Sequence, residues 1–171
     1  MGMPTLVFDI ETIPDVAGIR RLHDIGVDVS DAEVAELAFQ QKRAQSGNDF
    51  LPLHLQRVVA ISCVLRAGDT FKVWSLAEPE QNEGEIIQRF FDGIEKFTPQ
   101  LVSWNGGGFD LPVLHYRGMI HGVTAPRYWD LGDGDYADSR DFKWNNYISR
   151  YHTRHLDLMD LLAMYQPRAS A

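Results

Sequence analysis

The stretch Thr5-Leu-Val-Phe-Asp-Ile-Glu-Thr-Ile-Pro14 joins a short apolar run to two acidic residues that are separated by one position. The apolar run favours a β-strand, and alternate side chains of a strand share a face, so Asp9 and Glu11 are predicted to point the same way. Two such carboxylates repel each other, and a hard divalent cation such as Mg²⁺ would relieve that repulsion. A motif this short leaves open the alternative that both acids simply face water at the strand end.

The composition of the 171-residue chain is that of one globular domain, with 44% hydrophobic and 11% aromatic residues. No apolar run approaches the roughly 20 residues that a membrane span needs. The N-terminus lacks a signal-peptide pattern, because its apolar run ends at Asp9. Cys63 is the one cysteine and lies in an apolar run, so we expect a buried thiol in a protein of the reducing cytoplasm.

The net charge of −8 argues against a protein that coats nucleic acid non-specifically. The acidic excess lies within residues 1–110, whereas the charges of residues 111–171 balance. A surface for a polyanion is therefore predicted in the last third of the chain. The aspartates of residues 122–142 lack the spacing of a calcium-binding EF-hand, and this segment is predicted to be a solvated loop.

The order of the predicted elements indicates an α/β domain that spans residues 5–171 and contains a helical insertion at residues 15–52. A hairpin would make part of its sheet antiparallel, and later strand–helix–strand passages would make another part parallel. The insertion carries a capping box at Ser30 and Glu33. The further strands are predicted at 57–66, 71–75, 101–104 and 154–157, and the further helices at 83–97, 109–117, 143–151 and 158–165.

A second acidic centre follows the strand at 101–104, in Asn105-Gly-Gly-Gly-Phe-Asp110. Asp110 would open a helix, whose N-terminus favours a carboxylate. Its alternative role is that of an ordinary capping residue. Open α/β sheets place ligands at the carboxyl ends of their strands, and Asn105 and Phe109 add an amide and an aromatic ring suited to a nucleotide.

Together these stretches resemble a known family. Asp9-x-Glu11-Thr12 and Asn105-x-x-x-Phe109-Asp110 look like the first two motifs of DEDD-type 3′–5′ exonucleases. More closely, the chain from about residue 5 to its C-terminus resembles the predicted 3′–5′ exonucleases related to the proofreading domain of family-B DNA polymerases. The further stretches that carry this resemblance are Arg57-Val-Val-Ala-Ile-Ser62, Val102-Ser-Trp-Asn-Gly-Gly-Gly-Phe-Asp-Leu-Pro-Val-Leu114 and His155-Leu-Asp-Leu-Met-Asp160.

The resemblance implies a ribonuclease H-like mixed sheet flanked by helices, with two Mg²⁺ or Mn²⁺ ions in the complete site. It implies that Asp9, Glu11 and Asp110 are catalytic metal ligands. It also places four residues against the substrate, a terminal nucleotide and its scissile phosphate: Thr12, Ile13, Asn105 and Phe109.

The family also needs a fourth acid from a third motif, which reads Tyr-x-x-x-Asp or, in a sister group, His-x-x-x-x-Asp. No Tyr-x-x-x-Asp follows Asp110, whereas His155 and Asp160 have the second spacing. That pair is one alternative. The other is that Asp157 and His155 belong to a strand and helix preceding the motif, so that the domain is truncated before a tyrosine-type third motif and has little activity.

The predicted function is a metal-dependent 3′–5′ exonuclease that acts on single-stranded DNA. One alternative is an RNA 3′ exonuclease, since the motifs do not read the 2′-hydroxyl. Another is a catalytically silent module of the same fold that binds nucleic acid or protein. No membrane partner is expected.

Overall fold

The computed structural model of the protein describes residues 2–167, which form a mixed five-stranded sheet of order β3-β2-β1-β4-β5. The antiparallel pairs join β1 to β2 and β2 to β3, and the parallel pairs join β1 to β4 and β4 to β5. The mixed, helix-flanked α/β sheet implied by the resemblance is thus confirmed. The strands are β1 (Thr5–Pro14), β2 (Gln56–Ala67), β3 (Thr70–Ala77), β4 (Gln100–Ser103) and β5 (His155–Asp157).

The helices are α1 (Val16–His23), α2 (Asp31–Ser46), α3 (Glu83–Phe97), α4 (Asp110–His121), the short α5 (Ser139–Phe142) and α6 (Leu158–Leu162), with a 3₁₀ turn at Leu53–Leu55. The predicted helices follow in the expected order, except the one at 143–151 described below, and α1 and α5 are additional to the prediction. Within residues 2–167, none of them is both long and apolar enough to cross a membrane.

The core lies on one face of the sheet, where α3 and α4 pack. Leu6, Phe8 and Ile10 of β1 are buried there. The apolar face of α3 is buried against them, as its 3.6-residue period predicts: Ile86, Ile87, Phe90, Phe91 and Ile94. The predicted burial of Cys63 is confirmed, and this burial raises the pKa of its thiol to about 12.

The opposite face of the sheet is open to solvent in the part of the chain that the structure describes. Val7 of β1 and Val73 of β3 are 44% and 74% exposed on this face. Because side chains alternate along β1, the same open face carries Asp9 and Glu11, which are both exposed. The sheet thus presents the first acidic motif to solvent.

Residues 15–52 form a helical hairpin over the end of β1. The predicted capping box is confirmed, because Ser30 accepts from the backbone of Glu33 and the Glu33 carboxylate accepts from the backbone of Ser30. The helices enclose a small apolar cluster: Ile19, Val34, Ala38, Leu51 and Leu55. The limits of the domain and of the insertion stay predictions.

The predicted helix at 143–151 is wrong, because these residues form turns. The Asn146 side chain organises them: its Oδ1 accepts the backbone N–H groups of Ile148 and Ser149, and its Nδ2 donates to the Phe142 carbonyl. An asparagine that bonds its own backbone offers an alternative to the helical ladder.

The predicted solvated loop at 122–142 is also corrected. Asp130 is only 3% exposed, and it accepts the backbone N–H groups of Gly132 and Gly134 and the hydroxyl of Ser139. The loop is therefore built around a buried carboxylate, and its last residues form α5.

Candidate active site

The two acids of the first motif lie in the part of β1 that extends beyond the end of its neighbour β4. The parallel pairing of β1 with β4 covers only Thr5–Val7, whereas the antiparallel pairing with β2 continues to Pro14. Asp9 and Glu11 therefore lie beyond the end of β4, and a bulge follows between Glu11 and Thr12. This leaves an open corner beside the acids on the β4 side of the strand.

Asp110, the first residue of α4, fills that corner. The residue is 3% exposed, and its Oδ1 accepts the backbone N–H of Ile10 at 3.2 Å. Ile10 is the residue between the two acids of β1. The contact joins two motifs that are 100 residues apart in the sequence, as the resemblance implies.

The surroundings of Asp110 oppose its ionisation. Burial is the largest cause, and the negative charges of Asp9 and Asp157 add to it, while the Ile10 N–H acts in the other direction. Together they raise the pKa of Asp110 from 3.8 to about 6. A nearby cation would reverse this balance, because it stabilises the ionised form.

The donor chemistry of these three acids suits a hard divalent cation, but their side chains do not yet converge. Within residues 2–167, no group of three or more His, Cys, Asp or Glu side chains lies close enough to hold a metal ion. Asp9 and Glu11 are exposed, so their side chains can reorient toward Asp110 at little cost in packing. Carboxylate oxygens are the ligands that Mg²⁺ and Mn²⁺ prefer.

The residues predicted to contact substrate surround the acids without forming one cluster. Thr12 bonds the Gln56 side chain at 3.0 Å, and the side chain of Ile13 is 42% exposed. Phe109 is half-buried, with its ring centroid 5.6 Å from that of Phe50 in the insertion. Asn105 adopts a left-handed φ of 60° at the start of the glycine loop. Their substrate roles stay predictions.

The alternative third-motif pair, His155 and Asp160, has structural partners. The Nε2 atom of His155 lies 2.7 Å from the hydroxyl of Ser103. Arg150 donates from Nε and Nη2 to the two carboxylate oxygens of Asp160, each at 2.9 Å. Their catalytic role stays a prediction.

The structure adds Asp157 to the site. Its carboxylate accepts the backbone N–H groups of Asn105 and Gly107 in the glycine loop, and its charge acts on Asp110. It also caps α6 by accepting from Met159. The signal in the sequence was that Asp157 lies between a strand and a helix, just as Asp110 lies at the start of the helix that follows β4.

A cavity of about 530 Å³ lies behind the glycine loop, between α4 and the turns that follow α5. Gly107, Gly108 and Leu111 line one side of it, and Ile148 and Asp160 line the other. Asp157, which holds the glycine loop, also lines this cavity.

Comparison with known proteins places these observations in a family. Residues 48–171 match the family described as "Predicted 3'-5' exonuclease related to the exonuclease domain of PolB". The chain is 35% identical over 66 residues to the catalytic polypeptide of DNA polymerase epsilon from Saccharomyces cerevisiae, and the match covers 35% of this chain and 3% of that protein. It is also similar to the solved family B DNA polymerase of Pyrobaculum calidifontis, with 19% identity and a TM-score of 0.45 over 74% of this chain and 12% of that one.

The chain thus spans only a small part of the two polymerases that it resembles. The family match, in contrast, covers more than half of this chain and includes the glycine loop and Asp110. The chain therefore belongs to the family of predicted 3′–5′ exonucleases related to the exonuclease domain of family-B DNA polymerases.

Proposed function

We propose that this domain removes nucleotides from the 3′ ends of single-stranded DNA by metal-dependent hydrolysis of phosphodiester bonds. The observation that carries the proposal is the bond between Asp110 Oδ1 and the Ile10 N–H. It brings the acid of the second motif against the strand segment that bears the two acids of the first. Family membership supports the exonuclease chemistry.

Asp9, Glu11 and Asp110 would hold Mg²⁺ or Mn²⁺, with two ions in the complete site. When bound, such ions lower the pKa of an attacking water and neutralise the departing 3′ oxygen. A fourth carboxylate from a third motif stays a prediction. Because activity would also depend on that fourth carboxylate, metal binding is measured first and hydrolysis of nucleic acid second.

The chain's own residues would bind and orient the DNA end. Thr12 and Ile13 continue β1 past the acids, where an exposed isoleucine side chain can contact the terminal base. Phe109 precedes Asp110 directly, so its ring can contact the neighbouring nucleotide. The bond from the Ile10 N–H would hold Asp110 against the strand segment that leads into Thr12 and Ile13.

The test is a titration with Mn²⁺, followed by electron paramagnetic resonance, of the parent chain, Asp9→Asn and Asp110→Asn. We expect each variant to bind Mn²⁺ at least about tenfold more weakly, because a ligand oxygen and a negative charge are lost together. Asp69→Asn in the β2–β3 turn is the matched control, and its affinity should equal that of the parent. Unchanged affinity in Asp110→Asn would overturn the metal site.

Nuclease assays then separate the candidate activities. Single-stranded DNA and RNA of one sequence, each labelled at the 3′ end, are incubated with Mn²⁺ and the same variants. Release of label from DNA by the parent, and its loss in Asp9→Asn, would support the proposal. Faster release of label from RNA than from DNA would identify RNA as the substrate instead. Metal-independent binding of either strand, with no release of label, would favour a silent binding module.

A further inference from the structure

The carboxylate of Asp157 joins β5 to the glycine loop through hydrogen bonds. Asp157 is 8% exposed and pairs in register with Ser103, the last residue of β4. Its Oδ1 accepts the Asn105 N–H at 2.9 Å, and its Oδ2 accepts the Gly107 N–H at 3.1 Å. Both oxygens are therefore engaged with the backbone of one loop.

The glycines let the loop lie flat on the side chains of β4 and β5. A Cβ atom at Gly107 would lie 3.3 Å from the Asp157 Oδ2 atom. A Cβ atom at Gly106 would lie 2.1 Å from the Ser103 hydroxyl, which itself bonds His155. The glycine loop and the His155-Leu-Asp157 stretch thus form the two halves of one contact.

The conformation of the glycine loop determines the position of Asp110, the candidate metal ligand that follows it. Its first residue, Asn105, has the left-handed φ of 60°, a conformation that costs free energy for a residue other than glycine. The Asn105 carbonyl accepts the N–H groups of Gly108 and Phe109, and Asp110 follows directly. A carboxylate that holds the Asn105 N–H therefore fixes the start of the segment that ends at Asp110.

We propose that Asp157 is a positioning residue of the exonuclease site: it clamps the loop of residues 105–108 and thereby sets Asp110 against β1. The inference rests on the proposed function. It assigns Asp157 no direct contact with metal or substrate. The competing role is purely structural, that of the cap of α6, since Asp157 also accepts the N–H of Met159 at 3.1 Å.

The first experiment measures amide hydrogen exchange by NMR, without metal, in the parent, Asp157→Ala and Asp157→Asn. In Asp157→Ala we expect the amides of Asn105 and Gly107 to exchange about tenfold faster or more, since a charge-assisted bond is lost at each. The side-chain oxygen of Asp157→Asn can still accept one of these two N–H groups, while its NH₂ group would face the other. We therefore expect exchange rates between those of the parent and of Asp157→Ala. If Asp157→Ala does not fold, Asp157→Asn alone carries the comparison.

The matched control is Arg150→Gln, which loses a two-bond ion pair to the same helix but touches neither loop amide. Its Asn105 and Gly107 amides should exchange at the parent rate. Parent-like exchange of these amides in folded Asp157→Ala, or equal acceleration in Arg150→Gln, would overturn the clamp.

The second experiment measures Mn²⁺ affinity, which a mere cap would leave unchanged in folded protein. We expect Asp157→Ala to bind Mn²⁺ several-fold more weakly, with Asp157→Asn between it and the parent, while Arg150→Gln matches the parent. If Asp110→Asn weakens binding but Asp157→Ala does not, the positioning role is wrong and the proposed function stands. If Asp110→Asn does not change the Mn²⁺ affinity, the proposed function itself fails. The exchange experiment would then still show whether Asp157 holds the loop.

Discussion

Arg117 and Glu83 form a buried pair with two hydrogen bonds, from Nε to Oε1 at 2.7 Å and from Nη2 to Oε2 at 2.6 Å. Their side chains are 3% and 4% exposed. Nη1 of Arg117 bonds Asp15 at 2.7 Å, and Glu83 Oε1 also accepts the Val58 N–H. The pair therefore ties the start of α3 to α4, to β2 and, through the cap of α1, to the insertion beside the site.

Arg117→Ala should lower the free energy of unfolding by about 3–5 kcal/mol, because it leaves two buried carboxylates without their cation. Urea unfolding at pH 7 measures this loss.

Arg43→Ala is the control, since Arg43 also pairs with two acids, Glu36 and Asp49, but in solvent. Its loss should stay below about 1 kcal/mol. Similar losses in the two variants would show that burial does not decide the strength of the Arg117 pairs.

Low pH should lower the free energy of unfolding by protonating Asp15 and Glu83, the two carboxylates that pair with Arg117. Burial by itself raises the pKa of Asp15 and Glu83. The hydrogen bonds and charge of Arg117 outweigh it, together with hydrogen bonds from Gly18 to Asp15 and from Val58 and His121 to Glu83, and hold the pKa of both groups below the ordinary values. Carboxyls with a depressed pKa contribute stability that is present above their unfolded values of 3.8 and 4.5 and is lost as pH falls through the folded values. Unfolding free energies at pH 7, 5, 4 and 3 should therefore fall most steeply below about pH 4.5.

The double variant Asp15→Asn with Glu83→Gln tests the assignment. It should be less stable than the parent at pH 7, and its stability should change less between pH 5 and pH 3 because both titrating groups are gone. A slope equal to that of the parent would assign the acid sensitivity to other carboxyls.

The titration of Asp110 should affect stability in the opposite direction to that of Asp15 and Glu83. Burial raises its pKa to about 6, so in metal-free protein its contribution favours the fold at low pH and is lost as pH rises from about 4 to about 6. In EDTA at pH 7, Asp110→Asn should be more stable than the parent by roughly 1–3 kcal/mol, because the amide need not ionise.

Added Mn²⁺ should reverse this order. Bound metal raises the melting temperature of the parent by mass action, and Asp110→Asn should show a much smaller rise. A variant that is less stable than the parent in EDTA would contradict the unfavourable burial of the Asp110 charge.

Two glycines should respond to alanine in opposite directions. Gly106→Ala would drive a Cβ atom to 2.1 Å from Ser103 Oγ and should destabilise the fold by about 1–3 kcal/mol. Gly93→Ala lies within α3 with no atom near the new methyl, and should stabilise by about 0.5–1 kcal/mol. Thermal unfolding measures both, and a Gly106→Ala variant as stable as the parent would contradict the predicted clash.

Sequence reasoning succeeded where local pattern and burial agree. The apolar period of α3 predicted its bounds of Glu83–Phe97, and the capping box at Ser30 predicted the start of α2. It failed at 143–151, where the spacing of aromatic residues resembled a helix but the side-chain bonds of Asn146 favour turns. Short polar side chains compete with the helical ladder, and periodicity does not detect that competition.

The sequence by itself determined that Asp9 and Glu11 share a face, because strand side chains alternate with a period of two. The sequence of residues 48–171 also determined the family to which the chain belongs. Only the tertiary structure decided that Asp110 bonds Ile10, that Asp157 holds the glycine loop and that Arg117 joins Glu83 to Asp15. Those contacts join residues 34 to 102 positions apart, and they form only once strand order and helix packing bring distant segments together.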